Sequence, residues 1–222
     1  MKQKLLMLSI ALLLVATLST GAWAYTISGI NLVTFNAMAG TEILSLPAVS
    51  PSIITANSGS FVATLSFKAY YDSSSSVYTY AYQLANSPSS TDGIARLTIT
   101  NPYSATVYNM PGGIPDTTSY GYITDLSLLA PATFVDNTAF NGFFGFDFGR
   151  DPVTGGGLLT NGTTSTWMYT RFYQNPGVVT GNIINGGVGS GPTVGPVPEP
   201  GTMLLLGMGI LGLYGVGRKR KI

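Results

Sequence analysis

The chain has 222 residues, room for one domain with short appendages. It carries 28 Gly and 13 Tyr, only 9% charged residues, and neither Cys nor His. Abundant aromatic and β-branched residues exclude a disordered chain, and scarce Glu, Lys and Arg argue against a helical one. Without thiol or imidazole, the usual nucleophile–base pairs and nearly all zinc or copper sites are removed.

The net charge of +1 hides an uneven distribution. Lys2, Lys4, Arg218, Lys219, Arg220 and Lys221 lie at the two ends. Between Tyr25 and Gly195 only Lys68, Arg96, Arg150 and Arg171 stand against eight acids, a net of −4. A mildly acidic body with scattered cations has no footprint for nucleic acid.

Lys2 and Lys4 precede an apolar run, Leu5 to Leu18. Ala22-Trp23-Ala24 then sets Ala22 and Ala24 at the two positions a signal peptidase reads. These features predict a helical signal peptide over residues 1–24, cleaved after Ala24. The alternative, an uncleaved span, fits poorly with so short a run followed by small residues. Export places the body in an oxidising compartment, where it must fold without disulfides.

Residues 25–184 read as one β domain. Tyr25 to Asn36 is β-prone, and 41–57, with Pro47 and Pro51, reads as a loop with one short edge strand. Ser60 to Tyr71 alternates, with Phe61, Ala63, Leu65, Phe67, Ala69 and Tyr71 on one face. A turn at 72–76 leads into Val77 to Ala85, where Tyr78, Tyr80, Tyr82 and Leu84 share a face. Together they predict a hairpin with an aromatic ladder. Further strands are expected over 94–100, 120–129, 143–148, 164–173 and 178–184, with no convincing helix. Many short strands without an internal repeat predict an all-β fold, an antiparallel two-sheet β-sandwich. Asn185 to Gly195 is Gly-rich, so residues 185–196 are expected to form a flexible linker.

The last segment, 197–222, has three parts. Val197-Pro198-Glu199-Pro200 is rigid and extended, because the prolines fix φ and donate no amide. Thr202 to Gly217 is an uncharged run of 16 residues with five glycines. As a hydrophobic helix it spans only ~24 Å against a hydrocarbon core of ~30 Å, and each Gly weakens it by roughly 1 kcal/mol. Arg218, Lys219, Arg220 and Lys221 form a basic stop that stays cytoplasmic by the positive-inside rule. Such a tail suits a temporary membrane stop better than a lasting anchor.

This order of Pro-Glu-Pro, short glycine-rich hydrophobic run and terminal basic cluster resembles a PEP-CTERM sorting signal. The resemblance covers about 26 residues and is reinforced by the signal peptide. It implies recognition by exosortase, a membrane transpeptidase-like enzyme of Gram-negative bacteria that make exopolysaccharide and biofilm matrix. It further implies loss of the tail and delivery from the inner membrane to the cell surface or extracellular matrix. The expected partners are therefore signal peptidase, exosortase, the inner membrane transiently, and exopolysaccharide. Within the body, Tyr78 to Asn86 followed by Gly93-Ile94, and Leu159 to Ser165, are similar to segments of β-sandwich domains found among PEP-CTERM proteins. That likeness bears on fold alone.

Sites within the body are sparse. Asp147-Phe148-Gly149-Arg150-Asp151 has two carboxylates near a loop, but Ca²⁺ needs six to eight oxygen ligands, and an Arg–Asp pair at a turn is the simpler reading. The Tyr ladder and Trp167, Tyr169 and Tyr173 read first as a plain core face; the alternative is a sugar-stacking face with Tyr80 and Trp167 as carbohydrate contacts. No Gly-x-Ser-x-Gly elbow or phosphate loop is present. The acids fall nearly all in turns, which does not suit a glycosidase pair. No catalytic residue, metal or cofactor is expected. The expectation is a non-catalytic, surface-sorted structural or adhesive protein, with a lectin-like sandwich as the alternative.

Overall fold

The computed structural model describes residues 23–46, 48–100, 119–125, 127–137, 142–149, 157–185 and 187–197. The signal peptide through Ala22 and the tail from Pro198 lie outside the described residues, as do the two helices expected there.

Alternating side chains make strands, and apart from one helix the regular elements of the described body are all strands. In chain order they are β1 (Trp23–Thr26), β2 (Gly29–Ile30), β3 (Thr41–Glu42), β4 (Ser52–Thr55), β5 (Val62–Asp72), β6 (Val77–Asn86) and β7 (Arg96–Thr100). Then follow β8 (Tyr120–Ile123), β9 (Thr133–Asn137), β10 (Phe143–Asp147), β11 (Met168–Phe172), β12 (Pro176–Asn185) and β13 (Gly187–Pro196). One sheet has the order β1-β9-β10-β7-β12-β13 and the other β2-β8-β11-β6-β5-β3, with β4 also on β5.

The predicted hairpin is present, with Leu65 opposite Leu84 and Phe67 opposite Tyr82. Period two puts Ala63, Leu65, Phe67 and Ala69 inward on β5, and Tyr80, Tyr82 and Leu84 on β6. They meet Leu97, Ile99, Phe134, Phe144, Phe146 and Ile183 of the other sheet in one buried cluster. Tyr82 sits between Phe144 and Phe146, at ring-centroid distances of 6.2 and 6.3 Å. Tyr120 stacks on Phe134 at 4.2 Å. Each such ring buries a large apolar area, and ring pairs add roughly 0.5–1.5 kcal/mol beyond it.

Three expectations need correction. Residues 32–36 are not strand: Leu32–Ala39 is a helix, α1. Asn31 caps it, its side-chain oxygen accepting from the Thr34 amide at 2.8 Å. Phe35 and Ala39, one helical turn apart, are buried with Ala81 and Tyr169 on the outer face of the second sheet. The pairing is also not purely antiparallel, since β2 runs parallel to β8.

The third correction is the largest. The expected flexible linker over 185–196 is mostly strand β13, paired along its whole length with β12 from Asn185↔Gly187 to Pro176↔Pro196. Glycine serves close packing here. A Cβ on Gly191 would stand 2.8 Å from Ile54 Cγ1, and one on Gly189 would stand 2.8 Å from Ile54 Cγ2. Glycine lets β13 lie directly against β4, and an Ala56↔Gly189 bridge joins the two sheets along that side. The Asn57 amide donates to the Val188 carbonyl at 3.0 Å, and the Val188 amide returns to Asn57 Oδ1 at 3.1 Å.

Gly191→Val should therefore cost about 1–3 kcal/mol by overpacking against Ile54. Urea unfolding of the processed protein measures this; an unchanged midpoint would mean that β13 does not seal this side.

Candidate functional site

The most specific functional signal in the sequence is its tail, so the place where the body hands over to that tail comes first. β12 and β13 end together. Pro176 pairs with Pro196, and the Val197 amide donates to the Asn175 carbonyl at 3.0 Å. The Val197 side chain is half-buried against the main core. It lies over Gly177, where a Cβ would stand 2.5 Å from Val197 Cγ1. Of the predicted sorting residues, Val197 is thus held on the body. Pro198, Glu199, Pro200 and the basic residues 218–221 lie outside the described residues.

At the other end, the predicted signal cleavage falls within β1. Ala24 is exposed and opposite Val135. Cleavage after Ala24 leaves Tyr25 opposite Phe134 and Thr26 opposite Thr133. Ala22 lies outside the described residues.

The proposed sugar-stacking face separates into two fates. Tyr80 is fully buried, and its hydroxyl donates to the Gln174 carbonyl at 2.7 Å. It presents no ring face to a ligand, so its assignment as a carbohydrate contact is corrected. Burial pushes the Tyr80 hydroxyl far above the ordinary tyrosine range, as it does that of Tyr82. Trp167 is half-buried at the wall of a cavity of about 160 Å³ between α1 and the second sheet. Phe35, Lys68, Tyr70 and Ile123 also line it. Lys68 Nζ stands 5.9 Å from the Trp167 ring centroid and pairs with Glu42 at 3.2 Å. Burial, and then the Glu42 carboxylate, push the Tyr70 hydroxyl up to about 12. Lys68 and Trp167 are distant in sequence, and only the β5–β6–β11 pairing brings them together. A second cavity of about 520 Å³, between residues 127–129 and 158–164, is lined among the described residues by Ser and Thr hydroxyls and leucines, with no ionisable group among them.

Among the described residues, Asp72, Asp125 and Asp147 are tied to turns or ion pairs, and Glu42 pairs with Lys68. Asp147 Oδ2 accepts from Arg96 Nε at 2.9 Å across β10 and β7, and Oδ1 accepts from the Gly149 amide at 2.8 Å. Its partner is therefore a cross-strand Arg; Arg150 and Asp151 lie outside the described residues. Asp125 accepts from the Ser127 hydroxyl and amide, which lower its pKa. Among the described residues no three acids gather into a metal-binding group.

Asp72 closes the β5–β6 turn. Its carboxylate accepts from the Ser74 hydroxyl at 2.6 Å, the Ser75 hydroxyl at 2.5 Å and the Ser74 amide at 3.0 Å. Arg171, almost fully buried, reaches it at 3.4 Å. The two hydroxyls, then the amide and the guanidinium, hold the carboxyl at about 2. A lowered folded-state pKa stabilises the fold fully above about pH 4, and that contribution is lost as pH falls toward about 2. Melting midpoints should drop more steeply through this window in the native chain than in Asp72→Asn. Parallel curves would show that the turn carboxylate does not contribute.

A family model described as the PEP-CTERM protein-sorting motif matches residues 196–221. No curated protein and no solved structure matches the chain.

Proposed function

We propose that this exported protein, targeted to exosortase by the PEP-CTERM motif at residues 196–221, is a non-catalytic structural or adhesive component of the cell surface or extracellular matrix. The motif carries the reading. It implies export, membrane anchoring before cleavage, and processing by exosortase. What the body contributes is the finer part of the proposal.

We read the body as a two-sheet β-sandwich, supported by the single core that both sheets share. A non-catalytic role is supported by three of the described acids: Asp72, Asp125 and Asp147 each cap a turn or hold an Arg. None of these three carboxylates is left aimed at another across a groove, as a glycosidase pair requires. A compact, disulfide-free β body is suited to persist outside the cell, where it meets exopolysaccharide and biofilm matrix.

Two measurements test this. Glu199→Ala should abolish tail removal and surface delivery, read by the size and fraction of the protein in cells; normal processing would remove the sorting reading. Deleting the gene should weaken biofilm or floc cohesion, while the processed protein releases no reducing ends from the cell's own exopolysaccharide. Release of reducing ends would make it an enzyme.

A lectin-like module is the second reading, favoured by the Trp167 cavity with Lys68 at its wall. An indole beside a cation suits the apolar face of an acidic sugar. Trp167→Ala should lower retention on an exopolysaccharide affinity gel; unchanged retention would leave the structural role alone.

A further inference from the structure

The match to the sorting motif starts at Pro196, and β13 ends at that same residue. A linker between body and signal would let the processing enzyme approach an extended chain. Here that linker is absent, because the glycine-rich stretch expected to supply it is paired into the sheet. Val197, the residue before Pro198-Glu199-Pro200, keeps its amide on the Asn175 carbonyl and its side chain over Gly177. An enzyme that reads an extended peptide uses its backbone edge and alternate side chains. At Val197 the amide and much of the side chain are already committed to the body.

We propose that Val197 is a positioning residue for tail processing: its anchorage on Asn175 and Gly177 ties the residue just before Pro-Glu-Pro to the body, and cleavage follows release of the β13 end from β12. The inference rests on the exosortase reading. The release is local. It breaks the Val197–Asn175 hydrogen bond and lifts one half-buried side chain, while Tyr82 still holds β13 farther back through the Val194 carbonyl at 2.8 Å. Strand ends are the part of a sheet that opens most readily. Gly177 is the complementary half of this device. A methyl group there would press on Val197 from beneath and favour the released state.

The experiment follows tail loss by pulse–chase on the full chain in cells that carry an exosortase. One variant inserts Gly-Ser-Gly-Ser between Pro196 and Val197, leaving Val-Pro-Glu-Pro intact. The other is Gly177→Ala, which leaves the motif untouched; its melting midpoint is measured alongside to confirm that the body folds. Both should lose the tail about fivefold faster, the factor equivalent to the ~1 kcal/mol net worth of one hydrogen bond. Glu199→Ala serves as the control for the reading beneath: if its tail is still removed, the sorting reading fails. If removal depends on Glu199 but both variants keep the parent rate, the positioning role of Val197 is overturned. It is overturned equally if the insertion speeds cleavage and Gly177→Ala does not, since the constraint would then be distance from the membrane.

Discussion

The hydroxyl of Tyr82 donates to the carbonyl of Val194 across the interior. Tyr82 belongs to the middle of one sheet, and Val194 to the edge strand of the other. The bond satisfies a polar group that would otherwise be buried unpaired, a loss of roughly 1–3 kcal/mol. It also fixes where β13 lies. With β13 in place, its glycines admit Ile54 of β4, and the β4–β13 side of the structure closes. The aromatic cluster of Tyr82, Phe144, Phe146 and Phe134 depends on that closure to stay dry.

The same strand carries the chain to its sorting signal. Because β13 is needed to seal the core, it is not free to act as a tether, and the motif starts where the sheet stops. Folding of the body and presentation of the tail are thereby coupled through a few atoms at Asn175, Gly177 and Val197. The outer face of the second sheet is organised separately. There α1 covers Ala81 and Tyr169, and the gap it leaves beside Lys68 and Trp167 becomes the small cavity.

Strands with one buried face were legible in advance, because period two shows in the order of residues. β5 follows it, as do the inward Phe144 and Phe146 of β10; on β6 Tyr80, Tyr82 and Leu84 face the core, but Ala81 on the other face is buried as well, packed with Phe35 of α1. Alternation names a face without saying what covers it, so a sugar contact at Tyr80 stayed open beside the favoured core reading. Its burial under the opposite sheet decides the matter. The helix α1 was hidden because Leu-Val-Thr-Phe is β-prone locally, and its helical state rests on the Asn31 cap and on Phe35 reaching Tyr169. Local preference lost to tertiary packing at that point. β13 was hidden for a different reason: glycine and proline usually mark loops, and nothing in its own order of residues reveals that Ile54 must fit against it.

By itself the sequence determined that the protein is exported and addressed to exosortase, and that its fold is mostly β. A Pro-Glu-Pro motif, a short apolar run and a basic end are local features, read by other proteins as a linear string, so they need no neighbours to have meaning. Alternation of apolar side chains is equally local, and it is enough to dictate β structure. The tertiary structure alone decided which aromatic rings are sealed, which cation faces Trp167, and that a glycine-rich stretch is a strand. Those are contacts between residues far apart in the chain, and their energies depend on shape and burial that no single segment contains.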